Sequence, residues 1–151
     1  MAGLKTASSR WLIRSLAVCT VLATVALGAG RLAAQDDRKP WPAPDAARQV
    51  KNPFPATPEN LAAGEQTFKT NCMICHGEQG KGDGIAGKGL KPTPANFTDS
   101  KMMAMETDGS LFWKMSEGRD PMPTWKDILS EKERWQLVDY IRKLNKDANA
   151  K

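Results

Sequence analysis

Histidine is nearly missing from this chain: His76 is the only one in 151 residues. Cysteine is scarce as well. There are three, and Cys19 lies in the N-terminal stretch, so Cys72 and Cys75 alone serve the rest of the chain. Two cysteines make no disulfide framework. With one histidine they also fall short of the four ligands of a structural zinc, unless an unusual carboxylate joins them. Long apolar runs are lacking too. The segment Ser15–Gly30 is apolar, but it is shorter than the roughly 20 residues a membrane span needs. The βαβ context in which a redox-active C-x-x-C pair normally sits is absent.

Acidic residues are missing from 1–34, which hold Lys5, Arg10, Arg14 and Arg31. Four of the 22 basic residues therefore lie there, leaving 18 against 17 acidic ones. The net charge of +5 becomes about +1, and it gives no argument for a nucleic-acid partner. A positive start, an apolar stretch and small residues up to Ala34 read as a cleaved export signal over 1–34. An uncleaved leader would be an anchor and tether the chain to a membrane. Cys19 is a poor lipidation site, because branched Val18 precedes it and apolar sequence continues beyond.

Residues 35–56 contain Pro40, Pro42, Pro44, Pro53 and Pro55. This spacing predicts an extended arm or linker without helix, with Trp41 and Phe54 available to pin it. A helix starts after it, with Thr57 as cap and Pro58 at its first position. Leu61, Gly64, Phe68 and Cys72 share one face of that helix. Residues 77–97 are rich in glycine and proline and read as loop. A short helix is expected from about Gly109 to Glu117, capped by Asp108 or Thr107 and ended by Gly118. Residues 119–125 read as loop. Ser130 and Glu133 form a capping box for a last helix ending near Leu144, whose apolar face is Leu137, Val138, Ile141 and Leu144. The expected domain is all-α over 57–146, followed by a tail over 147–151. A unit this small is marginal on its own apolar burial, and a large apolar cofactor would supply the missing surface.

Cys72-Met73-Ile74-Cys75-His76 is the C-x-x-C-H pattern of c-type haem attachment. Two thiols three residues apart reach the two vinyl groups on one edge of the macrocycle, and the next residue turns its imidazole to the iron. With no second histidine, bis-histidine ligation and a second such site are excluded. The sixth ligand must come from elsewhere. Met122 stands between Pro121 and Pro123 on a stiffened loop just before the last helix, which suits a thioether aimed at iron. Met115 reads as helix filler. Met102, Met103 and Met105 remain the other candidates.

The chain resembles the class I monohaem, His/Met bacterial cytochromes c. The resemblance rests on Gly64-x-x-x-Phe68, CMICHG (72–77), GKGDG (80–84), LKPTP (90–94), GSLFWKMSEG (109–118), PMPTW (121–125) and DYIRKL (139–144). It implies a small cytochrome c fold of about three to four helices around one covalently bound haem c. It implies thioethers at Cys72 and Cys75, with His76 and Met122 as proximal and distal iron ligands. It also implies that Gly64 and Phe68 meet Tyr140 where the first and last helices cross, and that a carbonyl of Pro92 or Pro94 accepts the His76 Nδ1 proton.

Other signals carry less. Residues 82–88 fit G-x-x-x-x-G-K, but Gly89 replaces the required hydroxyl residue and no strand precedes. Asn96-Phe97-Thr98 is a sequon by composition. Lys81, Lys88, Lys91 and Lys101 could steer an acidic partner, or simply be solvated. The function expected is one-electron transfer by a soluble periplasmic carrier, not an enzyme, with redox proteins as partners. The alternative is an electron-relay subunit of a respiratory or dehydrogenase complex.

Overall fold

A computed structural model of the chain describes residues 40–150, all within one unit spanning Asp37–Lys151. The expected leader over 1–34 lies outside the described residues, as do 35–39 of the arm and Lys151. The described residues form six α-helices and no strand: α1 Asp45–Gln49, α2 Pro58–Asn71, α3 Met73–His76, α4 Ser100–Met105, α5 Asp108–Glu117 and α6 Glu131–Ala148. One 3-10 turn, Ile85–Gly87, interrupts the glycine-rich loop. The all-α expectation holds, with more helices than three or four because α1, α3 and α4 are short.

The N-terminal region corrects the reading of 35–56 as free of helix. Pro44 and Pro53 flank α1 rather than interrupt it. Pro44 sits at the cap, and Asp45 places negative charge in the first turn, where the helix dipole favours it. Nor is the segment a loose spacer. Ala43 is buried, Phe54 packs against the core, and the Trp41 ring lies 5.9 Å from Trp113. The Cβ of any side chain at Gly109 would sit 2.1 Å from the Ala47 carbonyl oxygen, so α1 lies directly on α5.

The two long helices begin as their caps dictate. Thr57 accepts from the Asn60 amide at 3.2 Å, with Pro58 at the first position of α2. Ser130 and Glu133 complete both bonds of the capping box of α6. That helix continues past Leu144 to Ala148, where no proline or glycine stops it and Lys143 pairs with Asp147. Trp135, Leu137, Val138, Tyr140 and Ile141 are buried along it. Each such side chain contributes about 1.5–3 kcal/mol on leaving water.

Helices α2 and α6 cross at Gly64. A Cβ there would stand 2.1 Å from the Gln136 carbonyl oxygen and 3.1 Å from the Tyr140 Cβ. The crossing therefore requires a residue with no side chain, which outweighs the cost of about 1 kcal/mol of glycine inside a helix. One turn on, Phe68 is fully buried with its ring 5.3 Å from Tyr140 and 6.4 Å from Phe97. Gln136 is buried beside the crossing and satisfied by donating to Asn60 Oδ1 at 2.7 Å.

Helix α4 has no counterpart in the sequence reading. Asp99 caps it by accepting from the Lys101 and Met102 amides. Arg142 of α6 holds its far end, donating to the carbonyls of Met103 at 3.0 Å and Glu106 at 2.5 Å and to Asp108 Oδ1 at 2.7 Å. Helix α5 starts after Thr107, whose hydroxyl accepts from the Ser110 amide at 3.1 Å.

Two outcomes are expected. Gly64→Ala should lower the unfolding free energy by roughly 2–3 kcal/mol, measured by denaturant titration, because backbone atoms cannot yield as a side-chain tip would. An unchanged midpoint would mean that the helices do not meet so closely. The second concerns Asp139, whose Oδ1 accepts from Asn52 at 3.0 Å while its Oδ2 is buried without a partner. Burial raises its pKa, the Asn52 bond opposes that, and the Asp108 carboxylate adds to it. A folded pKa above the unfolded one means the ionised form costs stability. That cost is absent below the unfolded value, near pH 4, and complete above the folded one. Asp139→Asn should thus stabilise the protein at pH 7, by less than about 1 kcal/mol. The gain should fade as pH falls to 4, and a pH-independent difference would remove this account.

Candidate haem attachment site

The C-x-x-C-H residues occupy a single turn. Helix α2 ends at Asn71, Cys72 links it to α3, and the amides of Cys75 and His76 both donate to the Cys72 carbonyl, at 3.2 and 2.9 Å. The sequence spacing therefore becomes a spatial cluster of two half-buried free thiols and an imidazole. Burial pushes the Cys72 thiol up to about 12, with the neighbouring Cys75 adding to the effect.

The loop after the turn folds back onto it. The Gly82 amide donates to the His76 carbonyl at 2.8 Å, and the Gly84 amide to the Cys75 carbonyl at 3.2 Å. The His76 ring is fixed on two sides. Its Nδ1 donates to the Ala95 carbonyl oxygen at 3.2 Å, since a carbonyl can only accept. Its face stacks on Phe97, with centroids 4.6 Å apart and planes 14° from parallel. Phe97 is itself held: its amide donates to the Gly80 carbonyl at 2.7 Å, and its carbonyl accepts from Asn145 of α6 at 2.9 Å. The expected Pro92 or Pro94 support for His76 is replaced by Ala95. The Pro94 carbonyl is instead turned onto Gly82, 2.5 Å from where a Cβ would stand. Burial lowers the His76 pKa and the Ala95 carbonyl partly offsets this. The ring is thus a neutral imidazole near neutral pH, its proton on Nδ1 and the Nε2 lone pair uncommitted.

Met122 lies on a tight turn. Its amide donates to the Arg119 carbonyl at 2.7 Å, and its carbonyl accepts from the Arg119 amide at 2.9 Å. Its side chain is half-buried against the core. The turn is tied back to α5, where Trp125 N–H donates to the Met115 carbonyl at 3.2 Å and Thr124 Oγ1 to the Ser116 carbonyl at 2.5 Å. The other methionines differ. Met103 and Met115 are buried in the core, Met105 is 68% exposed, and Met102 is half-buried.

These residues fit a covalent haem. Both thiols are unpaired on one helical turn, the imidazole is oriented with one nitrogen uncommitted, and Cys72, Ala95, Met102 and Met122 are each partly buried against the core. The sequence reading misses Phe97, Asn145 and Ala95 as supports. Asn96 and Phe97 read only as a chance sequon, and the Asn145 contact spans 48 residues.

An all-helical domain carrying this turn defines a c-type haem protein. A family model described as "Cytochrome C oxidase, cbb3-type, subunit III" matches residues 59–141. Relatives include the chloroplastic cytochrome c6 of Chlamydomonas reinhardtii, 30% identical over 62% of this chain and 60% of that one. Cytochrome c6 of Euglena gracilis is 31% identical over 52% of this chain and 85% of that one. Among solved structures, the Kuenenia stuttgartiensis reducing HAO-like protein complex contains a similar chain. It has a TM-score of 0.53 and 27% identity, over 71% of this chain and 51% of that one. The chain therefore spans little more than half of two of these relatives. It belongs to the cytochrome c family, whose members carry covalently attached haem c, and that is its cofactor.

Gly118 ends α5 with φ 65° but ψ 172°, so it lies outside the left-handed helical region expected of it. A Cβ there would also stand 2.5 Å from the Pro123 carbonyl carbon and oxygen. Gly118→Ala should therefore cost about 1–3 kcal/mol. It should also speed hydrogen exchange of the Trp125 amide more than that of α6 amides. Equal protection in both proteins would show that the turn does not depend on this position.

Proposed function

We propose that this protein is a one-electron carrier with a single haem c held by thioethers from Cys72 and Cys75 and ligated by His76 and Met122. The observation that carries this reading is the placement of Met122. Two reciprocal backbone bonds and two flanking prolines fix its turn, and its thioether is partly shielded at the core margin. Bound haem supplies exchange between Fe(II) and Fe(III). His76 presents Nε2, and the Ala95 carbonyl sets its orientation and raises its basicity. Met122 fills the remaining position, favours the reduced state and leaves no place for a substrate. Such a protein transfers electrons and is not an enzyme.

The class I monohaem assignment follows from this ligand set and from His76 being the sole histidine. The N-terminal 1–34 pattern and the site of haem attachment in bacteria support export to the periplasm. Among the described residues no helix is long and apolar enough to cross a membrane. A second reading, a relay subunit delivering electrons inside a larger respiratory or dehydrogenase assembly, is favoured by the names of the oxidase-subunit family and of the HAO-like complex. Either way its donor and acceptor are redox proteins.

Met122→Ala decides the ligand. It should lower the potential by on the order of 0.1 V, open the ferrous iron to CO, and abolish the far-red Met–Fe(III) charge-transfer band. A band that survives the substitution would show that another methionine is the ligand.

A further inference from the structure

Trp41, in the segment before α2, touches the Met122 turn. The Trp41 ring lies under the Arg119 guanidinium at 4.7 Å, with Lys114 Nζ at 5.7 Å from the same ring and Trp113 at 5.9 Å. Arg119 is the residue that exchanges both backbone bonds with Met122. A Trp–cation contact thus ends on the residue whose backbone pairs with that of Met122. Trp41 is prepared for this role. Pro40 and Pro42 flank it and limit its backbone, so less entropy is lost in holding the ring. The segment behind it is anchored several times. Ala43 is buried, the Ala47 and Val50 carbonyls lie on Gly109, and Asn52 bonds Asp139.

We propose that residues 40–52 brace the Met122 turn, with Trp41 as the positioning residue that acts through Arg119. The brace concerns the turn itself. Its effect on the iron rests on the reading of Met122 as ligand. A contact of this strength holds a turn closed by a factor of roughly 2 to 30.

The test uses the haem-loaded full chain. Trp41→Ala should speed hydrogen exchange of the Arg119 and Met122 amides by roughly 2- to 30-fold, leaving buried α6 amides such as Leu137 unchanged. Arg119→Gln should do the same, Arg119→Lys should restore most of the protection, and the double variant should lose less than the sum of the two single effects. If Trp41→Ala fails to fold, the Arg119 pair still decides. Through the iron, both loosened variants should weaken the far-red band and quicken CO association by a similar factor. Unchanged exchange at the two amides overturns the brace. Faster exchange with an unaltered band and CO rate overturns its coupling to the iron. Met122→Ala, run alongside, tells whether that second failure belongs to the ligand reading, because the band would then survive this substitution too.

Discussion

The Gln136 carbonyl oxygen occupies the space over Gly64, and this backbone-to-helix contact fixes where the rest of the domain can go. With α2 and α6 this close, Phe68 has no alternative to the pocket between Tyr140 and Phe97. Phe97 in turn faces His76, and Asn145, a little over one turn beyond Tyr140 on α6, grips the Phe97 carbonyl. The orientation of the imidazole therefore descends from a missing side chain on α2. A substitution that spreads the two helices would move the ring without touching the C-x-x-C-H turn.

The site is built from backbone more than from side chains. The Ala95 carbonyl orients His76, the Cys72 carbonyl closes the turn, and the His76 and Cys75 carbonyls hold the returning loop. Backbone acceptors suit this purpose. They do not titrate, and a buried carbonyl must find a donor in any case. The same pattern appears at the Met122 turn, where Arg119 and Met122 exchange backbone bonds and Thr124 and Trp125 use carbonyls of α5. Two rigid segments result, the first continuous with α2 and the second fixed to α5, both helices that the core already holds.

Local and non-local causes separate what sequence reveals from what it hides. Caps are local, so Thr57 and the Ser130–Glu133 box locate α2 and α6 from sequence. The C-x-x-C-H spacing is local too, whereas the need for glycine at position 64 comes from Gln136 on α6, and only the resemblance points to it in the sequence. Ala95 is hidden because which carbonyl reaches a ring depends on the path of an irregular loop, and the Pro94 carbonyl is turned onto Gly82 instead. Helix α4 is hidden because its far end is held by Arg142, some forty residues away, and by burial of Met103, while its own cap at Asp99 is a weak signal alone. Helix α1 is hidden because prolines read as breakers, whereas two of them only delimit it.

The departure over residues 40–56 has the largest structural consequence, because this segment carries a helix and packs onto α5 and α6. A chain folding from residue 57 would leave Gly109 uncovered where the Ala47 and Val50 carbonyls now lie, and would leave Asp139 without Asn52. Those contacts cannot be optional decoration on a domain this small. Its core is close to the lower limit of what burial can stabilise, so each added apolar contact is a larger share of the whole. A proline-rich segment suits this position, since its backbone is restricted before it docks and little further entropy is lost on docking. Composition marks such a segment as a linker, while its low docking entropy makes it an effective strap, and partners such as Trp113, Arg119 and Asp139 distinguish the two.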